Sequence, residues 1–170
     1  MRPNSQAPAD GQARQQVVVR QALPTSPERA FALFTNGPQL ATWFCSEAES
    51  EEKLGGALHA TWHEEDGESY ERLGRFAEWQ PPHMAVVEWL GGASQSADEA
   101  EPVEIAPDIW RLAIAPAADG CIVTVVSPLL RSEAPVRADI LYETAKMGWE
   151  AVFQTLRELL AAEALATGEP

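Results

Sequence analysis

The side chains in this sequence that could do chemistry are few, and their spacing works against most reactions. His59 and His63 stand four positions apart, which on a helix would offer two imidazoles to one zinc ion. Around them, however, Gly56, Leu58, Ala60 and Trp62 alternate with Ala57, His59, Thr61 and His63, so the segment reads as a strand. There the two rings are about 13 Å apart at 3.3 Å per residue. One mononuclear metal site cannot use both, and the pair reads as outward-facing surface histidines. His63-Glu64-Glu65-Asp66 also lacks the second histidine of the zinc-protease word His-Glu-X-X-His. Carboxylates are plentiful, but they cluster at Glu47 to Glu52, Glu64 to Glu68 and Asp98 to Glu104, in turns and loops without the apolar surroundings that raise a carboxyl pKa. They read as a solvated face. Glu78 beside Trp79 and Glu88 beside Trp89 are the two acids placed to turn inward, and a structural role is preferred for both. Ser127 and Ser132 lie in no Gly-X-Ser-X-Gly elbow, and there is no phosphate-binding loop or dinucleotide fingerprint. No cofactor, no metal and no catalytic residue is expected. Cys45 and Cys121 lack Cys-X-X-Cys spacing and read as small buried hydrophobes.

The aromatic set remains. Six tryptophans (Trp43, Trp62, Trp79, Trp89, Trp110 and Trp149) join Phe31, Phe34, Phe44, Phe76 and Phe153. Indole is costly to bury without a partner for its N–H, so tryptophan often stands at the rim of a cavity or interface. Filling of the core is the competing reading for each ring.

These rings must be positioned by one domain. The 170 residues, 45% hydrophobic and 22% charged, suit one globular unit. Residues 1–14 are too polar to order and are expected to form a floppy tail before a single domain over 15–166. Gln16 to Leu23 reads as a strand around Val17, Val18 and Val19. Thr25 or Ser26 caps a helix with Pro27 at its first position, which Asn36-Gly37-Pro38 stops. A second short helix is expected from Pro38 to Trp43 or Phe44. Strands follow from Leu54 to His63 and from Ser69 to Trp79, joined by a turn at Glu65-Asp66-Gly67-Glu68. Gly74 marks a bulge or close approach, and Pro81-Pro82 closes the strand. Met84 to Leu90 is another strand, and Gly91 to Pro102 reads as a loop. Strands Asp108 to Ala115 and Cys121 to Ser127 frame Ala118-Asp119-Gly120, and a second loop surrounds Arg131 to Val136. The chain then predicts a long amphipathic helix over Ala138 to Ala166, its apolar stripe formed by Leu141, Ala145, Trp149, Val152, Leu156 and Leu159 with Phe153 and Leu160 beside it. Such a helix must lie across a sheet to bury that stripe.

The formal charge is −14, which repels phosphate backbones and anionic lipid, so neither nucleic acid nor membrane is an expected partner. No apolar run spans a bilayer and no signal peptide is evident, so a cytoplasmic location is expected.

A strand, two short helices, an antiparallel meander and a long C-terminal helix is the order of the helix-grip fold. The segment Pro24 to Phe44, with Thr35 near the end of the first helix and Trp43-Phe44 closing the second, resembles the opening of the SRPBCC (START-like) superfamily, in the branch similar to the C-terminal domain of the activator of Hsp90 ATPase. Gly55-Gly56, Gly74, Pro81-Pro82, Trp89 and Gly148-Trp149 match further words of that branch in order, and the resemblance covers about residues 15 to 163. It implies an α+β helix-grip (Bet v 1-like) fold: a curved antiparallel sheet of six to seven strands around the long C-terminal helix, with two short helices after the first strand. It also implies that ligands go between sheet and helix, with Trp43, Phe44, Trp62, Trp89, Trp110, Met147, Gly148 and Val152 as the candidate lining. The preferred reading is binding of a small apolar molecule, entering under the Gly91 to Pro102 loop, rather than catalysis. A protein-interaction module with a chaperone-like partner and a place in stress response is the second reading, its acidic edge meeting a basic partner. An enzyme resembling polyketide cyclases and aromatases is the third. A homodimer stays open, since small domains commonly pair across two-fold axes.

Overall fold

The computed structural model describes residues 16–65, 67–95, 101, 103–105, 107–128 and 138–168, with 103 and 138–142 described as backbone only. The expected tail over 1–14, the loop over 131–136, Asp66 of the hairpin turn and the side chain of Leu141 lie outside the described residues.

The β-branched run near the start forms β1 (Gln16–Leu23), whose alternate side chains Val17, Val19 and Leu23 are buried. Ser26 then caps α1 (Pro27–Thr35), its hydroxyl accepting from the Arg29 N–H at 3.2 Å, while Pro27 occupies the first turn and Glu28 favours its positive end. Asn36 ends α1 and caps α2 (Gly37–Leu40), its side chain accepting from Gln39 N–H at 3.1 Å. α2 is shorter than expected: after Leu40 the chain continues as turns to Phe44.

The strands are β2 (Glu47–Ser50), β3 (Ala57–His63), β4 (Ser69–Gln80), β5 (Met84–Gln95), β6 (Val103–Ile105), β7 (Asp108–Ala117) and β8 (Gly120–Pro128). They form an eight-stranded antiparallel sheet among the described residues, in the order β1-β8-β7-β5-β4-β3-β2 with β6 on β5. That exceeds the expected six to seven strands. The acidic stretch after Cys45 supplies the edge strand β2, which tolerates charge because its outer side chains stay in water. β5 runs five residues into the expected loop, pairing there with both β4 and β6. Ladder bonds come from the backbone, so the glycines and small polar residues of Gly91–Gln95 hold them without an apolar pattern. Bulges between Leu73 and Gly74 and between Phe76 and Glu78 interrupt the β4–β5 ladder, where such irregularities bend a sheet. Gly74 is also a close-approach point: a Cβ there would stand 3.0 Å from Trp89 Cε3.

α3 (Ala138–Thr167) crosses the concave face. Its C-terminal half is tightly seated, with Phe153, Leu156 and Leu160 buried against Val17, Val19, Leu33 and Phe34 of one core cluster. Arg157 donates to Gln21 on β1 at 2.7 Å, and Arg29 on α1 reaches Glu163 at 2.8 Å. Towards its N-terminus the stripe lifts, and Ala145, Trp149 and Val152 are only partly buried.

Phe153, 0% exposed, is the anchor of that helix. Phe153→Ala is expected to lower the unfolding free energy by about 3–5 kcal/mol in urea titrations. Met147→Ala, on the same helix but in solvent, should stay within about 0.5 kcal/mol.

Candidate ligand-binding site

Where α3 lifts from the sheet, a cleft of about 420 Å³ opens. Its helix wall is Thr144, Ala145, Gly148, Trp149 and Val152, spaced at three and four so that they share one face. Trp110 and Asp108 of β7, with Ser127 and Pro128 of β8, make the sheet wall, and Phe44 closes one side from the end of the second turn.

Phe44 is the hub of the aromatic packing. Its ring lies 5.5 Å from Trp43, 5.3 Å from Trp62, 5.2 Å from Trp110 and 6.4 Å from Trp149. Trp110 meets Trp149 edge-on at 5.0 Å, so rings from the sheet and the helix touch across the cleft. Three indole N–H groups find acceptors: Trp43 on the Leu33 carbonyl at 2.9 Å, Trp62 on the Phe44 carbonyl at 2.7 Å and Trp110 on the Asp108 carboxylate at 3.0 Å.

Beside the cleft the concave face carries an ion pair. Arg72 shares strand parity with Gly74 and Phe76 and so turns inward; its Nη1 is 3.8 Å from Asp108 Oδ2. Its guanidinium lies over the Trp89 ring at 4.9 Å from the centroid. Burial pushes the guanidinium pKa down from its ordinary value, and the Asp108 carboxylate opposes that shift. Arg72 Nε and Nη2 and Trp89 Nε1 are buried without a hydrogen-bond partner among the described residues. Leaving such donors unpaired costs on the order of 1–3 kcal/mol each.

Of the residues expected to line the site, Phe44, Trp110, Gly148 and Val152 are brought together at the cleft. Trp43 and Trp89 are core residues, and Trp62 packs behind Phe44 rather than on the cleft surface. Met147 must be corrected: it is 65% exposed, because neighbouring residues on a helix are rotated by about 100° and the wall position belongs to Gly148. Trp149 was legible from its place in the apolar stripe. Asp108 and Arg72 were legible only from strand parity, a weak signal for charged residues. His59 pairs with Glu71 at 3.1 Å and His63 with Glu47 at 3.7 Å, each with its own carboxylate on an exposed surface. Glu88 pairs with Arg75 at 2.7 Å and Glu78 with Arg111 at 3.7 Å, again in partly exposed positions away from the cleft.

A long helix laid across a curved antiparallel sheet, with a ligand-sized cleft between them, defines a helix-grip domain of the SRPBCC class. The sequence profile described as Activator of Hsp90 ATPase homolog 1-like protein matches residues 24–161, and the chain belongs to that family. No curated protein sequence matches it. Among solved structures it is similar to a protein from Nitrosomonas europaea (16% identity, TM-score 0.66, covering 90% of this chain and 98% of that one). It is also similar to the AHSA1 protein from Silicibacter pomeroyi (17%, 0.64, 88% and 99%) and to CalU16 from Micromonospora echinospora (13%, 0.58, 85% and 73%).

Asp108→Ala should destabilise the fold by about 3 kcal/mol, because it strands the Arg72 charge in a poorly hydrated place; chemical denaturation measures this. Burial pushes the Cys45 thiol up to about 11. A raised pKa keeps the neutral thiol at pH 8, so native Cys45 should react with a thiol-disulfide reagent far more slowly than the same residue in urea, the gap closing only as pH approaches 11.

Proposed function

We propose that this protein binds a small, largely apolar molecule in the cleft between α3 and the sheet. The cleft itself carries the reading: about 420 Å³ is within the range of small-molecule sites, and its walls are mostly apolar and aromatic with a few polar groups at the sheet side. Gly148 strengthens it. Glycine inside a helix costs about 1 kcal/mol relative to alanine, and a Cβ at this position would meet nothing within 4 Å, so close packing does not require the glycine. What its bare Cα provides is room in the cleft. Among the described residues Asp108 is the one carboxylate in the wall, which suits orientation of a ligand better than paired acid–base chemistry.

The family's description as an activator of Hsp90 ATPase supports a second reading, docking to a chaperone-like protein. Leu73 and Leu90, both about half exposed and close together along the β4–β5 ladder, are then the candidate contacts.

The neutral dye N-phenyl-1-naphthylamine tests the first reading. Its fluorescence should rise saturably on addition of the protein, with quenching of Trp110 and Trp149, and thermal unfolding should shift upward by mass action, about 2.7 kcal/mol at a hundredfold excess over Kd. Gly148→Phe should abolish binding in a folded protein. Gly148→Ala should raise stability by about 0.5–1 kcal/mol yet weaken the dye, separating cleft volume from helix propensity. Dye binding that ignores both substitutions would place the function elsewhere, with Leu73→Asp and Leu90→Asp as the next variants.

A further inference from the structure

Two hydroxyl side chains are buried among the described residues, Thr35 and Ser127. The Thr35 hydroxyl donates to the Phe31 carbonyl at 2.8 Å. The Ser127 hydroxyl has no hydrogen-bond partner among the described residues, although Ser127 is only 6% exposed and sits between buried Val125 on its own strand and Val17 opposite it on β1. Unlike the unpaired donors of Arg72 and Trp89, it is not sealed off, because Ser127 is part of the cleft wall. Buried polar groups in native proteins are nearly always paired, so a hydroxyl opening on an apolar cleft calls for a partner there. A second polar group of the same wall is close by. Arg111 pairs with Val126, so Trp110 and Ser127 are the next cross-strand neighbours, and Asp108, the wall residue before Trp110, lies diagonal to Ser127. Diagonal positions are about 7–8 Å apart between Cα atoms, a gap that one oxygen bridges at about 2.8 Å from each side chain. Asp108 accepts from Ile109 N–H at 2.7 Å and from Trp110 Nε1 at 3.0 Å, which leaves about half of a carboxylate's roughly four acceptor positions. Thr144, the other hydroxyl of the wall, is exposed and already open to water.

We propose that Ser127 and Asp108 form a hydroxyl-recognising subsite in the sheet wall of the cleft, and that the ligand is a neutral alcohol or phenol: an apolar body held against Phe44, Trp110 and Trp149, its hydroxyl donating to Asp108 and accepting from Ser127. This rests on the cleft-binding reading and adds the chemical class of the ligand. Charge selects the hydroxyl over its alternatives. A carboxylate would face Asp108, which carries the same charge and only accepts. An ammonium would find Asp108 already opposite a cation, with Arg72 Nη1 3.8 Å from Asp108 Oδ2. A hydroxyl brings one donor, two acceptor lone pairs and no charge, and so complements both side chains.

Displacement of N-phenyl-1-naphthylamine at pH 7 by 2-naphthol and by 2-methylnaphthalene, which puts a methyl group where the hydroxyl was, tests the subsite. The wild-type protein should bind 2-naphthol more tightly than its more apolar isostere. Ser127→Ala removes a hydroxyl with no partner among the described residues, so the variant should fold with an unchanged Tm. It should lower the ratio of the two affinities about fivefold, the worth of one hydrogen bond, and so bring 2-methylnaphthalene to the front. The Asp108 half is read with charged probes: 2-naphthoate and 2-naphthylmethylammonium should each displace the dye less well than 2-naphthol. Wild-type preference for 2-methylnaphthalene or for either charged probe, or a ratio that Ser127→Ala leaves unchanged, would overturn the subsite and leave cleft binding standing. Failure of the dye itself to bind would overturn both.

Discussion

The burial of three side chains on the last helix governs the rest of the molecule. Phe153, Leu156 and Leu160 seal the C-terminal half of α3 against β1, α1 and the sheet, and Arg157–Gln21 and Arg29–Glu163 hold the rim of that contact. The 30-residue α3 is about 45 Å long, and its contact with the sheet is not uniform along that length: Phe153, Leu156 and Leu160 are buried while Ala145, Trp149 and Val152 are only partly so. The cleft opens beside the less buried stretch, from Thr144 to Val152. Ala145 and Gly148, which face it, are too small to fill it.

The aromatic rings and the inward ion pair follow from this geometry. Phe44 touches four tryptophans, tying the turn after α2 to β3, β7 and α3 at the place where aliphatic packing stops. Large rigid rings cover much area with few rotatable bonds, so they can wall a cleft without collapsing into it. Arg72 and Asp108 work in the opposite sense: they put charge on a face that is otherwise hydrophobic, where a buried pair seldom adds stability. Such an arrangement makes physical sense where specificity, rather than stability, is what the residues provide.

Much of the fold was legible in the sequence because its signals were local. The capping serine before Pro27, the stop at Asn36-Gly37, the two-residue period from Gly56 to His63 and the long stripe from Ala145 to Leu160 each follow from backbone preference or amphipathic periodicity. β2, the extension of β5 and β6 were not, since Glu47–Ser50 and Gly91–Gln95 lack apolar alternation and become strands only because a neighbour offers a ladder. For the site, the residue types were readable and their layers were not. Trp43, Trp62, Trp89 and Trp110 look alike in sequence, yet Trp110 alone of the four lines the cleft.

By itself the sequence determined the order of elements, the apolar face of each and the abundance of aromatic rings, all of which depend on contacts within a few residues. Only the tertiary structure decided that Gly148 rather than Met147 faces the cleft and that Arg72 turns inward to Asp108. Those outcomes depend on how the long helix seats on the sheet and on which strands become neighbours, and neither is encoded in any short stretch of chain.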